Sequence, residues 1–290
     1  MNIFKKIFNS FNWVSGDIAI DLGTANTLIY LSGQGIVINE PSIVARSVHD
    51  DKVIAVGNDA KAMMGKTHRG LETIRPLQDG VIANFNMTDE MLHGFIRKIN
   101  LSRLARPKMV ICVPSGVTEV ERRAVRDSGE RANAREVYLI EEPMAAAIGI
   151  GLDISKPVGN IIVDIGGGTT EVAVIALNGV VSKETIRIAG DEMDDAIVQW
   201  FKNEHKLDIG IPTGETIKIT VGTAMRMKAE TISVKGRDFV SGIPKVVDVS
   251  SDEIRQALKD SVNSIVEAIR RAFEQTPQNL HRILLTGELF

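Results

Sequence analysis

The sequence predicts an α/β protein with two similar lobes. Short β-branched runs suited to buried strands alternate with amphipathic helical patterns along the chain. One pattern, an apolar strand followed by aspartate, an apolar residue and glycine, occurs at residues 18–23 and again at 161–166. Its aspartates, Asp21 and Asp164, are separated by 164 − 21 = 143 positions, which indicates a duplication of domain size. The length of 290 residues also exceeds what one hydrophobic core usually supports.

The elements of the first lobe follow from local patterns. A strand at the aspartate motif leads into a meander, and the irregular stretch from Asp50 to Gly80 predicts a small inserted lobe. Thr118 and Glu121 form a capping box, which predicts the start of a helix. The predicted strands are 18–22, 27–31, 36–38, 40–45, 109–113 and 137–140. The predicted helices are 60–64, one from Thr88 with Met91, Leu92, Phe95, Ile96 and Ile99 on its apolar side, one after Thr118, and 144–150.

The second lobe repeats this order. Strands are predicted at 160–165, 170–177 and 180–189, then a helix at about 191–205, an insertion at about 212–249, and a strand at 281–286. Ser250 and Glu253 form a second capping box, followed by one long helix. Its apolar stripe is Ile254, Leu258, Val262, Ile265, Ile269 and Phe273.

Composition excludes several classes of protein. The chain is 44% apolar and 24% charged with a net charge of −3, so no bulk charge favours nucleic acid. The only cysteine, Cys112, lies in an apolar run and is interpreted as a core thiol rather than a nucleophile. The five histidines lack the spacing of metal ligands. No apolar run approaches the ~20 residues of a transmembrane helix.

The two aspartate–glycine motifs predict phosphate-binding loops. Three consecutive glycines, Gly166, Gly167 and Gly168, can adopt positive φ and turn their backbone N–H groups toward one anion. An ordinary glycine-rich hairpin is the alternative for that stretch taken alone. Because the motif occurs twice, two hairpins could face each other across a cleft. Asp21 and Asp164 would then supply the oxygen ligands that a hydrated Mg²⁺ prefers, largely through water.

Four segments together resemble the MreB family of bacterial actins, within the superfamily of actins, Hsp70 chaperones and sugar kinases. They are residues 15–27, 111–116, 141–147 and 164–174, and the match runs from about residue 15 to residue 286. The resemblance implies duplicated ribonuclease-H-like, that is actin-like, lobes around a nucleotide cleft. It implies ATP or ADP with Mg²⁺ as cofactors. The phosphates would meet the backbone of Thr24, Ala25 and Asn26 on one side and that of the three glycines on the other.

Hydrolysis is assigned through the same resemblance. In the family, the glutamate before the proline of the Glu-Glu-Pro segment orients the attacking water, and a threonine of the second hairpin assists. These roles fall on Glu142 and Thr169. Pro143 can take the first helical position and fix the direction of the Glu142 carboxylate. The alternative is a helix-start carboxylate that only complements the helix dipole.

The nucleoside is assigned to a Glu-x-x-Lys helix, matched here by Glu215 and Lys218. The i, i+3 spacing puts both side chains on one helical face, where Glu215 can accept from the ribose hydroxyls and Lys218 can lie along the base. An ordinary surface ion pair has the same spacing. Gly287 begins the glycine run that holds the adenosine in the family, but Glu288-Leu289-Phe290 replaces the rest of that run.

Residues 1–14 predict an amphipathic membrane-binding helix. One face carries the apolar residues Ile3, Phe4, Ile7, Phe8 and Phe11, and two lysines lie opposite. A signal peptide or a helix packed on the protein body are the alternatives. In the family, another loop often presents apolar side chains to lipid. That loop corresponds to the segment with Leu101 and Leu104, which we expect to make a weaker contact with the membrane.

The predicted domains are therefore residues 1–14, a first actin-like lobe at 15–151 with an insertion at about 50–80, and a second at 152–290 with an insertion at about 212–249. By internal symmetry the second lobe lacks its closing C-terminal segment. The resemblance implies a filament-forming ATPase, cytoplasmic and peripheral on the inner membrane, that directs cell-wall synthesis and maintains rod shape. Its partners would be further copies in paired protofilaments, membrane adaptors and the cell-wall elongation machinery, without nucleic acid. A sugar kinase, an Hsp70-type domain or an inactive fragment remain alternatives.

Overall fold

A computed structural model describes residues 16–66, 69–99 and 106–277 of the chain. The chain divides into two compact units, Met1–Pro157 and Val158–Phe290, which are treated separately below as the first and second units. No helix within the described ranges is long and apolar enough to cross a membrane.

A five-stranded mixed sheet forms the centre of the first unit. Its strands are β1 (Ile18–Leu22), β2 (Asn26–Leu31), β3 (Gly35–Pro41), β9 (Lys108–Val113) and β10 (Glu136–Glu141), in the spatial order β10-β9-β1-β2-β3. The first three strands form an antiparallel meander, whereas β1, β9 and β10 run parallel. The carboxyl ends of those three strands therefore lie at one edge of the sheet.

Helices pack on this sheet and complete its core. They are α2 (Phe85–Lys98), α3 (Glu119–Arg131) and α4 (Glu142–Gly149). Phe95, Ile20 and Ile111 are fully buried in one apolar cluster. The predicted capping box of Thr118 and Glu121 is confirmed at the start of α3.

The prediction that α2 begins at Thr88 is wrong by three residues. The helix begins at Phe85 because the Asn84 side chain accepts a hydrogen bond from the Met87 N–H at 3.1 Å. The apolar pattern alone could not locate this start, since the first turn is partly exposed and Phe85 faces solvent.

The stretch predicted as an irregular insertion contains regular structure. Strands β4 (Val44–Ser47), β5 (Val53–Val56) and β6 (Leu71–Ile74) form a small antiparallel sheet in the order β5-β4-β6. Helix α1 (Asn58–Met63) packs against it, and the short pair β7 (Leu77–Gln78) and β8 (Val81–Ile82) follows. The strands are short, which is why their alternation was not evident in the sequence.

A three-stranded antiparallel sheet forms the centre of the second unit. Its strands are β11 (Asn160–Ile165), β12 (Thr170–Ala176) and β13 (Gly179–Ile186). All seven residues of β12 are buried. Leu177 and Asn178 both have positive φ, as a tight two-residue hairpin requires, and this turn ends β12 one residue before its predicted end.

The remaining elements of the second unit form another layer. Helix α5 (Gly190–Trp200) continues as one π-helical turn, Phe201–His205, so the helix predicted at 191–205 is not α-helical throughout. Helix α6 (Ile211–Val221) follows. A second antiparallel sheet consists of β14 (Leu207–Asp208), β15 (Thr231–Asp238) and β16 (Pro244–Ser250).

The long helix predicted after Ser250 is two helices, α7 (Ser251–Ala257) and α8 (Lys259–Glu274). The capping box of Ser250 and Glu253 is confirmed. The helix is interrupted at Leu258, and the two helices contribute to different cores. Leu258 packs with α5, α6 and β15, whereas Ala268 and Ala272 of α8 pack on Val172 of β12.

Candidate functional site

The loop between β1 and β2, residues 23–26 and hereafter the first loop, requires glycine at its first position. A Cβ on Gly23 would lie 2.6 Å from the backbone oxygen of Asn26, closer than real Cβ contacts occur. The Gly23 carbonyl accepts a hydrogen bond from Ser42 Oγ at 2.6 Å, and the Ala25 carbonyl accepts from the Ser42 N–H at 2.9 Å. One serine thus holds both ends of the turn.

The predicted phosphate contacts of this loop differ in exposure. Thr24 is buried, and its hydroxyl accepts a hydrogen bond from the Gly80 N–H at 3.2 Å. Ala25 is half-buried and Asn26 is exposed. The Thr24 side chain therefore anchors the loop internally, while the backbone at Ala25 and Asn26 is nearer to solvent.

Asp21 and Glu142 lie at the same edge of the first sheet. Asp21 is opposite Cys112 in the parallel pair of β1 and β9, and Glu141 is opposite Val113 in the pair of β9 and β10. Both predicted carboxylates are half-buried. The carboxyl edge of parallel strands, followed by turns and helix starts, is where α/β folds commonly bind ligands.

The start of α4 fixes the position of Glu142. Glu141 is the N-cap and Glu142 the first helical residue, so Pro143 takes the second helical position. The prediction that Pro143 takes the first position is wrong by one residue. The Glu141 carboxylate pairs with Arg122 of α3, whose Nη2 lies 3.0 Å from Glu141 Oε1. This ion pair holds the end of β10 immediately before Glu142, and the sequence patterns did not indicate it.

The loop between β11 and β12, residues 166–169 and hereafter the second loop, closes with one backbone hydrogen bond. The Gly166 N–H donates to the Thr169 carbonyl at 2.9 Å, and a Cβ on Gly166 would lie 3.3 Å from that oxygen. The expectation of positive φ at Gly166, Gly167 and Gly168 is wrong, since the positive-φ glycines of the described chain lie elsewhere. The glycines here provide space in a tight turn.

The start of α5 holds the second loop. The Gly190 N–H donates to the Gly166 carbonyl at 3.1 Å, and the Asp191 N–H donates to the Gly167 carbonyl at 2.8 Å. Within the described ranges, the N–H groups of Gly167 and Gly168 have no hydrogen-bond acceptor. A pair of such donors in one turn is the arrangement that binds anions.

Asp164 and Thr169 flank the glycines. Burial raises the pKa of the Asp164 carboxyl above its ordinary range, and no other cause contributes to that shift. A desolvated carboxylate that is not compensated by a neighbouring cation suits a bound cation. Thr169 is buried, and the hydroxyl of the next residue, Thr170, donates to the Ile188 carbonyl at 2.7 Å.

Each unit carries one hairpin aspartate, Asp21 or Asp164, near the end of a strand, and oxygen ligands are the type that Mg²⁺ prefers. The binding of Mg²⁺ largely through water stays a prediction. In the described ranges, no three His, Cys, Asp or Glu side chains come together as a preformed metal cage.

Glu215 and Lys218 lie on α6, and the structure brings Lys218 to the start of α5. Lys218 Nζ lies 2.8 Å from Asp194 Oδ1, as an ion pair rather than an aligned hydrogen bond, and donates to the Gly190 carbonyl at 2.7 Å. Burial raises the pKa of Asp194, against the opposing effect of Lys218. Sequence reasoning missed Asp194, although an aspartate one turn after Gly190 in an apolar helix was a possible signal.

The other predicted site residues lie outside the described residues. They are Gly287 and the membrane set Ile3, Phe4, Ile7, Phe8, Phe11, Leu101 and Leu104.

Comparisons with known proteins match nearly the whole chain. The family model described as MreB/Mbl protein matches residues 15–286. Cell shape-determining protein MreB of Escherichia coli (strain K12) is 50% identical over 285 residues, 96% of this chain and 81% of that protein. Cell shape-determining protein Mbl of Bacillus subtilis (strain 168) is 48% identical over 266 residues, 91% of this chain and 80% of that protein.

A solved structure supports the fold. The crystal structure of MreB5 of Spiroplasma citri bound to AMPPNP is similar with a TM-score of 0.88 and 36% sequence identity. The similarity covers 95% of this chain and 83% of that chain. The predicted actin-like α/β fold is therefore confirmed. Family match, sequence identity and fold agree, and the chain belongs to the MreB/Mbl family of bacterial actin-like cytoskeletal proteins.

Proposed function

We propose that this chain binds and hydrolyses ATP, assembles with further copies into filaments, and lies on the inner face of the cell membrane, where it directs cell-wall synthesis and maintains rod shape. The names of the E. coli and B. subtilis relatives, which describe them as cell shape-determining, support this role. The similar S. citri protein was crystallised with AMPPNP, which supports an adenine nucleotide as ligand.

One observation carries the nucleotide proposal: the two hairpins correspond residue for residue. Asp21 pairs with Leu28 and Asp164 with Glu171, the same register at an offset of 143 positions. Gly23 and Gly166 occupy the same position in their turns, and each approaches the oxygen three residues later. We assign the backbone of Thr24, Ala25 and Asn26 and the N–H groups of Gly167 and Gly168 to the phosphates. The N–H of Gly166, which the sequence also suggested as a donor, is bonded to the Thr169 carbonyl instead.

Asp21 and Asp164 are the proposed residues for Mg²⁺. The ion, when bound, supplies neutralisation of phosphate charge. The chain's own contribution is two aspartates, each at the carboxyl end of the first strand of its hairpin. In Asp164 the carboxylate is already desolvated, so little further desolvation is needed when a cation and its waters approach.

Glu142 and Thr169 are the proposed hydrolytic residues. A carboxylate at the first position of α4 can accept a hydrogen bond from a water and orient it, and Thr169 lies in the second loop beside the three glycines, where its hydroxyl can assist. For the nucleoside, we assign Glu215 to the ribose hydroxyls, the Lys218 stem to the base, and Gly287 to the adenosine.

Membrane attachment is assigned to residues 1–14, with Leu101 and Leu104 as a weaker contact. Each lysine near an anionic surface contributes only ~1 kcal/mol, so a single chain should bind reversibly and a filament more tightly. Co-sedimentation with anionic liposomes tests this assignment. Changing Phe4 and Phe8 to Glu should release the protein, and sedimentation that is indifferent to this change would contradict it.

The deciding experiment for the function is a titration of the whole chain with Mg-ATP and Mg-ADP, followed by pelleting with each nucleotide. We expect binding of both, and nucleotide-dependent pelleting together with phosphate release. A protein that binds neither nucleotide contradicts the proposal. Transfer of phosphate to added sugars or binding of unfolded peptide, without pelleting, would favour the kinase or chaperone alternative.

A further inference from the structure

A chain of hydrogen bonds leads from the interior of the second unit to the second loop. Lys218 Nζ donates to the Gly190 carbonyl at 2.7 Å. The Gly190 N–H donates to the Gly166 carbonyl at 3.1 Å, and the next N–H, of Asp191, donates to the Gly167 carbonyl at 2.8 Å. A lysine on α6 is thus connected through the first residue of α5 to two consecutive carbonyls of the loop.

The direction of those carbonyls determines where the loop's donors point. In a planar trans peptide the C=O of one residue and the N–H of the next point in opposite directions. Holding the Gly166 and Gly167 carbonyls at α5 therefore directs the N–H groups of Gly167 and Gly168 away from α5. These are the two N–H groups that have no acceptor in the described ranges.

The Lys218 ammonium is itself held by a buried partner. The Asp194 side chain is 5% exposed and Lys218 is 22% exposed, with 2.8 Å between their charged atoms. Helix α6 reaches α5 closely because Gly214 has no side chain; a Cβ there would lie 3.0 Å from the Asp194 carbonyl. A buried ion pair is often no more stabilising than apolar residues of the same size, so fold stability alone does not account for it.

We propose that Asp194 and Lys218 are positioning residues for the second loop: the carboxylate holds the ammonium, the ammonium holds the Gly190 carbonyl, and the start of α5 then aims the loop's N–H groups at a polyphosphate. The proposal rests on the nucleotide-binding function proposed above. It is compatible with the Lys218 stem lying along the base, because only the ammonium takes part in the link.

Two substitutions test this role, and the proposal expects both to weaken the binding of Mg-ADP. Lys218→Met keeps the hydrocarbon stem and removes the ammonium, and we expect Mg-ADP affinity to fall about tenfold, the size of effect typical for supporting groups around a site. Asp194→Asn leaves Lys218 in place but removes its charged partner. If Lys218 only positions the loop, this variant should also weaken Mg-ADP. A lysine that touched phosphate directly would be released toward it, and affinity would rise or stay unchanged.

Lys218→Met has two effects: it removes the hydrogen bond from Lys218 to the Gly190 carbonyl, and it leaves the buried Asp194 charge unpaired. The double variant Asp194→Asn with Lys218→Met removes the hydrogen bond without leaving that charge. It should recover the melting temperature that Lys218→Met loses, but not the affinity for Mg-ADP. Arg271→Met is a matched control, because it breaks a 2.7 Å ion pair with Glu184 elsewhere in the same unit. Recovery of wild-type affinity in the double variant would overturn the proposal.

Hydrogen exchange provides a readout that needs no nucleotide. The Gly190 and Asp191 amides, which donate to the loop, should exchange faster in Lys218→Met and in the double variant than in wild type or Arg271→Met. Unchanged exchange at both amides would overturn the positioning role. If wild type failed to bind Mg-ADP, the proposed function would fail, and the exchange experiment would still decide whether the link holds the loop.

Discussion

The first and second loops have the same hairpin geometry but are held by different groups. In each, a glycine two residues after the aspartate approaches the carbonyl three residues later, and the fourth residue after that glycine is a buried threonine, Thr27 or Thr170. The Gly23 carbonyl is held by the side chain of Ser42, whereas the Gly166 carbonyl is held by the backbone N–H of Gly190. The duplicated geometry thus depends on the strand register, and the support around it differs between the units.

This difference determines how each loop can be damaged. A hydroxyl can be deleted by one substitution, so the first loop is directly vulnerable at Ser42. A backbone N–H is present in every residue except proline, so most substitutions at Gly190 would leave its hydrogen bond to the second loop in place. That loop is weakened instead by substitution of side chains that position α5, such as Lys218. The predictions below test this asymmetry in order of decreasing effect.

The largest effect should come from the two residues proposed for hydrolysis, one in each unit. Glu142 is outside the hairpin, on α4, whereas Thr169 is in the loop itself. Glu142→Gln should lower ATP turnover by about 100-fold or more with nucleotide affinity retained, because orientation of water matters mainly in the transition state. Thr169→Val should lower it about tenfold, as loss of one hydrogen bond would. Single-turnover phosphate release measures both.

Glu119→Gln is the control for the hydrolysis prediction, since that carboxylate is 95% exposed on α3. Equal turnover in Glu142→Gln and wild type would move the role to another residue. A larger loss in Thr169→Val than in Glu142→Gln would reverse the comparison between the units.

The second effect concerns the tightness of the two turns. Gly23→Ala places a Cβ 2.6 Å from a backbone oxygen, and Gly166→Ala places one at 3.3 Å. We expect Gly23→Ala to destabilise the fold by about 2 kcal/mol and Gly166→Ala by less than about 1 kcal/mol. Urea denaturation measures both, with Gly116→Ala as control because a Cβ there meets nothing within 4 Å. Equal losses at both glycines would contradict the difference between the turns.

The third prediction distinguishes the role of Ser42 in supporting the first loop from its contribution to the stability of the fold. Ser42 and Ser182 are both buried serines whose hydroxyls donate to a carbonyl and pair with a threonine hydroxyl. Each Ser→Ala change should cost about 1–2 kcal/mol. Only Ser42→Ala should also weaken Mg-ADP, because the Ser182 hydroxyl contacts Ala272 and Thr276 rather than a residue of either loop. A calorimetric titration that finds the same affinity in both variants would remove Ser42 from the support of the first loop.

The smallest effect concerns Asp164. Its pKa is raised by burial, so the folded protein binds this proton more readily than the unfolded chain, and the ionised form costs stability at neutral pH. Asp164→Asn should therefore raise the melting temperature of the nucleotide-free protein at neutral pH. The gain should disappear as the pH falls below the ordinary range of aspartate, where the native carboxyl is protonated. Thermal melts across pH measure it, and a lower melting temperature in the variant at neutral pH would contradict the burial argument.

Much of the fold could be predicted because local signals were strong. The capping boxes at Thr118 and Ser250 and the duplicated register around Asp21 and Asp164 depend on residues near each other in sequence. The break at Leu258 could not be predicted, because the apolar stripe is continuous and only tertiary packing divides it between two cores. The three glycines can adopt positive φ but do not do so here, and a sequence does not show which of its allowed conformations a glycine adopts.

The candidate site was predicted as a set of separate residues, without the groups that support them. Ser42, Arg122 and Asp194 contact site residues or their neighbours from elements distant in sequence. No local pattern indicates this for Ser42 or Arg122, and for Asp194 the one signal is its place a turn after Gly190. The roles of the site residues themselves stay predictions, because they concern a nucleotide rather than the chain alone.

The two central sheets also differ in the order in which a growing chain can complete them. Within the described residues, the central sheet of the second unit is a meander whose three strands lie between residues 160 and 186, so these pairings are local. In the first unit β1 pairs with β9, and β10 joins only at Glu136–Glu141. Local pairings close quickly, while pairings across long loops are slow. On the ribosome, therefore, β1 must wait for most of its unit to be synthesised before its parallel neighbour exists, and during that time its apolar residues are available to chaperones.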